Sequence, residues 1–198
     1  MSARRNPVQE RSQETVQRIL QAASRLLGRA PIEDVTTHRI ASEAGLSVGA
    51  LYRFFPGKQS IIDAIAVRHV EEFRAGFESR AGGAGFTDGP AFLGSVIDAY
   101  IEFLDQHPDF RAIAFGRHIS SATRQTQTAP DAPGAGLVKN YLVEMFGIAD
   151  VRALDLQLRV VIEAGERLIA YAYERGEAER PAIVAELKRL LSRYLFGS

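Results

Sequence analysis

Between Ser47 and Lys58 the chain places a phenol, a guanidinium and an ammonium beside a very small helix tip. Val48, Gly49 and Ala50 offer almost no side chain and no charge. A tip of that kind can lie against a groove wall, where its backbone amides meet phosphate and its methyls meet thymine. Leu51 and Phe55, four apart, anchor such a helix from behind, which leaves Tyr52 and Arg53 as donors to phosphate or base edges. Lys58 opens the next helix, where the macrodipole disfavours a cation unless an anion lies close. Gly49 costs a helix about 1 kcal/mol relative to alanine, so it needs a reason. Each residue also has a plainer reading: Gly49 as a packing glycine, Tyr52 as a core-edge tyrosine, Lys58 as a solvated charge. Their occurrence together, in this order, favours nucleic acid.

The residues before them supply the positioning elements. Thr36 is suited to cap a helix that carries Ile40, Ala41 and Ala44 on one face. Gly45 supplies the left-handed residue that stops this helix. Ser47 caps the next, Val48–Phe55, and Pro56 ends it, because the residue before proline is driven out of the α region. Two short helices joined by a tight turn are the unit that presents one helix to the DNA major groove.

Residues 36–58 resemble the helix-turn-helix of the TetR family of transcriptional repressors. The matching features are Thr-x-x-x-Ile-Ala, Glu-Ala-Gly-Leu-Ser and Gly-Ala-Leu-Tyr-Arg-Phe-Phe-Pro-Gly-Lys. The resemblance implies that Thr36, Thr37, Tyr52 and Lys58 touch phosphate and that His38 reaches a base. It also implies that Ser47, Val48, Gly49 and Ala50 form the reading end of the recognition helix. Two positions depart from the family pattern. Phe54 stands where tyrosine or histidine is common, and Val48 where lysine is frequent, so one polar and one cationic contact are missing.

The 198 residues are 46% hydrophobic, enough for one large domain or two small ones. Charge is formally zero, yet unevenly spread. Residues 1–58 hold nine Arg/Lys against five Asp/Glu, a net of +4, and residues 59–198 carry −4. A basic end on an acidic body fits a DNA-binding end and discourages contact through the wrong face. Without cysteine there is no disulfide framework and no thiolate site. The polar start MSARRNPVQERSQ lacks the apolar stretch of a secretory signal, and no apolar run approaches the roughly 18 residues that span a bilayer. A cytoplasmic protein is expected, with no membrane partner.

Helical periodicity continues along the chain. Val8–Leu27 carries the stripe Val16, Ile19, Leu20, Ala23, Leu26 and Leu27 and ends at Gly28; it backs the motif. Arg4 and Arg5 precede it, as an arm entering the minor groove or as a solvated tail. Further helices are expected over Lys58–Phe77, Ala91–Gln106, Asp109–Ser120, Leu137–Phe146, Asp150–Arg175 and Pro181–Phe196. Glycine-rich Ala81–Pro90 and polar Ser121–Gly136 read as breaks. The expected fold is all-α with about nine helices. A three-helix DNA-binding domain occupies residues 1–58, and a helical ligand-binding and dimerisation domain occupies residues 59–198.

The last two helices are apolar on more than one face, which asks for burial on two sides, within one chain's core or against a second copy. Pairing them with a second copy makes a four-helix homodimer interface, and a two-fold dimer reads a palindromic operator in double-stranded DNA. The resemblance further implies a small-molecule pocket among the C-terminal helices, whose ligand lowers operator affinity. Candidate lining residues are Tyr100, Phe103, Phe110, Phe115, His118, Phe146, Glu163 and Arg167; aromatics at helical spacing are equally the material of a core. Glu163, beside an apolar run, needs a partner, in a ligand or in Arg167 four residues on. No cofactor or metal is implied. The histidines His38, His69, His107 and His118 lack zinc-ligand spacing, and no GxSxG or GxxxxGK[ST] motif occurs. The glycines near Gly82 follow no strand, so they lack the context of a dinucleotide loop. The reading is a ligand-released regulator rather than an enzyme. The alternative is a constitutive or architectural DNA-binding protein whose C-terminal domain only dimerises.

Overall fold

The computed structural model describes residues 7–81, 85–116, 118–127, 133–147 and 152–197. Arg4, Arg5 and Gly82 lie outside them. Ten α-helices and one 3-10 turn make up the described chain, with no β-strand among the described residues. In order they are α1 (Pro7–Leu27), the 3-10 turn Ile32–Asp34, α2 (Thr37–Glu43), α3 (Val48–Tyr52) and α4 (Lys58–Ala81). There follow α5 (Gly89–Gln106), α6 (Pro108–Phe115), α7 (Ser121–Gln127), α8 (Pro133–Phe146), α9 (Arg152–Arg175) and α10 (Arg180–Phe196). The all-α expectation holds.

Two compact units share these elements: Met1–Ala66 with His107–Ser120, and Val67–Gln106 with Ser121–Ser198. In the first, α1 packs on α2 and α6, and α2 packs on α3. The stripe expected on α1 is largely inward, with Ile19, Leu20, Ala23 and Leu27 all buried. Ile40, Ala41, Leu51, Phe55, Ile61, Ile65, Phe110 and Ile113 are buried in the same unit.

In the second unit α9 packs on α10 and α8, and α10 also packs on α5. Its core gathers around Phe92, which is fully buried. The Phe92 ring stacks on Tyr141 at 5.0 Å and meets Phe86 edge-on at 5.3 Å and Phe77 at 6.0 Å. Offset and edge-on pairs of this kind suit the ring quadrupole. Three residues before Phe92, a Cβ on Gly89 would stand 2.5 Å from the Phe196 ring. Any side chain at this position, the start of α5, would displace the Phe196 ring at the end of α10. At another point Tyr173 donates to Asp105 at 2.7 Å, and the Arg180 guanidinium lies 4.5 Å from the Tyr173 ring centroid. This joins α5, α9 and α10.

Several helix boundaries differ from the periodic reading: α4 runs on to Ala81, α5 begins at Gly89 inside the expected glycine-rich break, and α6 stops at Phe115 rather than Ser120. Ser121–Gln127, in the polar stretch where the sequence predicts a break, forms α7. Its sequence SATRQTQ has no apolar period to reveal it. Packing against α8 and an Arg124–Glu166 pair at 3.7 Å support it instead. α8 begins at Pro133, which had read as a break; a proline in the first turn lacks only an N–H that the helix start leaves unpaired.

The Phe92 cluster generates a stability prediction. Phe92→Ala should cost about 3–5 kcal/mol, since the rings around it cannot close the void. Urea denaturation should show a lower midpoint with an unchanged slope.

Candidate nucleic-acid interface

The helix-turn-helix is built from local hydrogen bonds that the sequence spells out. Thr36 caps α2, its hydroxyl accepting from the Arg39 N–H at 3.2 Å. Ser47 caps α3 in the same way, accepting from the Ala50 N–H at 3.1 Å. Between them Gly45 sits at φ 65°. The Leu46 N–H bonds to the Ala41 carbonyl at 2.9 Å and the Gly45 N–H to the Ser42 carbonyl at 3.0 Å. This pair of bonds is a Schellman closure, which needs a left-handed residue where Gly45 stands. α3 itself spans only Val48–Tyr52; the Phe54 and Phe55 N–H groups still bond back to Leu51 before Pro56 stops the turn.

Leu51 is fully buried and Phe55 nearly so, as the anchoring role requires. His38, Ser47, Gly49, Tyr52 and Arg53 are exposed, and Thr37, Val48 and Ala50 are half-buried. A Cβ at Gly49 would meet nothing within 4 Å, so packing inside the chain does not call for this glycine. The Tyr52 and Thr37 hydroxyls lie 3.3 Å apart, which brings two expected phosphate ligands from different helices to one point. Lys58 behaves differently. Its Nζ donates to the Ile32 carbonyl at 2.9 Å, so the cation at the start of α4 is satisfied within the chain.

Other basic groups also hold backbone or carboxylate, a use not foreseen from the sequence. Arg39 donates to the Asp34 carbonyl at 2.7 Å, and Arg18 to the Ala44 carbonyl at 2.6 Å. Arg25 donates to Glu43 at 2.8 Å, and that hydrogen bond holds the Glu43 carboxyl below its usual range. The one available signal was position, since Arg18 and Arg25 lie two helical turns apart beside the apolar stripe of α1.

Comparison with known proteins bears on both units. Residues 19–65 match the family model "Bacterial regulatory proteins, tetR family". Residues 87–198, more than half the chain, match "Tetracyclin repressor-like, C-terminal domain". The chain belongs to the TetR family of transcriptional regulators. A crystal structure of a TetR-family transcriptional regulator from Streptomyces coelicolor is 28% identical, with 91% of this chain and 97% of that one covered and a TM-score of 0.72. A TetR transcriptional regulator from Rhodococcus sp. RHA1 shares the fold at 19% identity, covering 93% and 98%, with a TM-score of 0.68. The nucleoid occlusion factor SlmA of Shewanella sp. (strain W3-18-1) is 39% identical over 54 residues, and the match takes in 27% of each protein. No described helix of this TetR-family regulator is long and apolar enough to cross a membrane.

The residues expected to line a ligand pocket fall in three places. Phe110, Phe115 and His118 belong to the first compact unit, where the His118 imidazole lies 3.7 Å from Glu33. Tyr100, Phe103 and Phe146 belong to the second. Tyr100 and Phe103 both meet the Phe73 ring edge-on, at 5.3 and 5.6 Å, and Phe146 lies 6.1 Å from Phe92. Glu163 and Arg167 are exposed on α9, and Arg167 pairs with Glu174 at 3.0 Å. Water therefore meets the need that the apolar neighbours of Glu163 had suggested.

Tyr100 has the most perturbed phenol of the group. Desolvation, with smaller contributions from Glu166 and Tyr173, raises its pKa well above the ordinary 10.0. A raised pKa means that folding favours the neutral form. That contribution is complete below about pH 10 and is lost as pH rises through the folded-state value. Thermal melts should therefore fall above about pH 10 in the wild type and fall less steeply in Tyr100→Phe.

Proposed function

We propose that this TetR-family regulator is a repressor that binds a palindromic operator as a homodimer and is released by a small-molecule ligand. Residues 1–58 contact the DNA, residues 59–198 dimerise and hold the ligand, and the protein acts in the cytoplasm. The observation that carries the reading is the exposed tip of α3. There Ser47, Gly49, Tyr52 and Arg53 face solvent, and Gly49 has open space where a side chain would be. Ser47–Ala50 meet base edges and backbone, Tyr52 with Thr36 and Thr37 takes phosphate, and His38 and Arg53 supply further donors. Lys58 joins them by turning its remaining donors to phosphate.

Support for a dimer through the last two helices comes from their outer surfaces. Leu156, Val160 and Tyr171 on α9 and Leu190 and Tyr194 on α10 are exposed, Leu190 by 53%. Leu168, Tyr171, Ile183, Leu187 and Leu190 line one groove between the two helices. A second copy related by a two-fold axis would cover this surface, and the two α3 helices would then read half-sites about one helical turn apart or a multiple of it. Leu190→Glu places a charge in that contact. It should yield monomers in sedimentation and abolish symmetric footprints.

The reading is tested with duplexes recovered from a randomised pool by the wild-type protein. A symmetric footprint is expected, and an asymmetric site bound tightly by a monomer overturns it. Tyr52→Phe should weaken binding to selected and scrambled duplexes alike, because a phosphate contact carries no sequence preference. A changed preference removes Tyr52 from the phosphate ligands. Release is tested by titrating metabolites against the bound duplex. An affinity that none of them shifts favours the constitutive, architectural alternative.

A further inference from the structure

The turn that aims α3 is gripped from α1. The Arg18 guanidinium donates from Nη2 to the Ala44 carbonyl at 2.6 Å and reaches the Gly45 carbonyl at 3.4 Å. Ala44 closes α2, and Gly45 is the left-handed residue after it. Carbonyls at a helix C-terminus lack intrahelical partners and carry partial negative charge, so a cationic N–H donor is well matched to them. Gly45 also leaves room for this nitrogen, since a Cβ there would stand 3.2 Å from Nη2. Seven residues along α1, Arg25 holds Glu43. One rigid helix thus grips three consecutive residues, 43–45, and only Leu46 and Ser47 separate that grip from α3.

The length of α3 makes this grip matter. Five residues give it a single fully buried side chain, Leu51. Leu51 and Phe55 both anchor its C-terminal side, while Val48, Gly49 and Ala50 at its N-terminal tip are not buried, so a hold at that end sets the tilt. We propose that Arg18 is a positioning residue for DNA reading. By holding the Ala44 and Gly45 carbonyls it sets the angle at which the tip of α3 meets the groove, without touching DNA itself. The inference rests on the operator-binding reading above.

Full-length protein and two duplexes test it: one recovered from a randomised pool by the wild type, and a scrambled duplex of equal length. The readouts are the affinity ratio between the two, the salt dependence of binding, and helix content by circular dichroism. Arg18→Ala should lower the ratio about tenfold, the scale of a hydrogen bond to a charged group. The salt slope should not change, because no phosphate contact is lost. Arg18→Lys, which keeps a cationic donor but places it differently on its shorter stem, should recover part of the ratio. Where Arg18→Ala does not fold, Arg18→Lys and Arg18→Gln carry the comparison, with ratios below wild type and an unchanged slope expected.

Three results overturn the proposal. Unchanged affinities for both duplexes in the folded variants, with or without a lower melting temperature, make Arg18 a stability residue only. A salt slope reduced by about one makes it a phosphate ligand. Equal losses on both duplexes deny it any part in reading sequence. A wild-type protein that recovers no preferred duplex overturns the operator reading itself, an outcome distinct from these three.

Discussion

The DNA-facing part of this protein depends on one left-handed turn. Gly45, at φ 65°, lets the chain leave α2 and enter α3 across four residues while the Ala44, Gly45 and Leu46 N–H groups all stay bonded. A side chain there would carry conformational strain and press on Arg18. The caps at Thr36 and Ser47 work only because the turn delivers the chain to them at the right angle. The exposure of Ser47, Gly49 and Tyr52 follows from the same geometry, since Leu51 has only one direction in which to bury.

Basic residues near this turn serve two purposes. Arg18, Arg39 and Lys58 donate to main-chain carbonyls at Ala44, Asp34 and Ile32; Ala44 and Asp34 end helical turns, while the Ile32 carbonyl opens the 3-10 turn and also accepts from the Val35 N–H. A carbonyl left over where a helical turn ends is costly to bury and favours a cation. The excess of positive charge in residues 1–58 therefore helps to build the scaffold as well as a field for an anionic partner. Arg53, which closes α3, and His38, in the first turn of α2, are exposed and free to face outward.

The second unit solves a different problem. Its helices are held by rings around Phe92 and by the junction of Asp105, Tyr173 and Arg180, both between helices distant in sequence. Leu156, Val160, Leu190 and Tyr194 remain exposed beyond that core. A chain that buries aromatics this thoroughly and still leaves such residues in solvent has an unfilled surface on α9 and α10, and apolar area of that kind marks contact sites.

Local chemistry made much of this legible in advance. Thr36, Gly45, Ser47 and Pro56 act on their immediate neighbours, so their types and spacing determine the caps, the turn and the end of the motif wherever the chain goes next. The apolar stripes of α1, α5 and α9 likewise announce helices, because a 3.6-residue period is an internal property of a segment. What depends on partners far along the chain was hidden. α7 has no stripe and is held by its neighbours. Arg18 finds carbonyls 26 and 27 residues away, Lys58 finds one 26 residues back, and Glu163 meets water where its neighbours suggested burial. By itself the sequence determined an all-α chain with a helix-turn-helix, since those features follow from backbone preference and periodicity. Only the tertiary structure decided which cations hold the scaffold and which face outward, because a donor's partner is chosen by proximity in space.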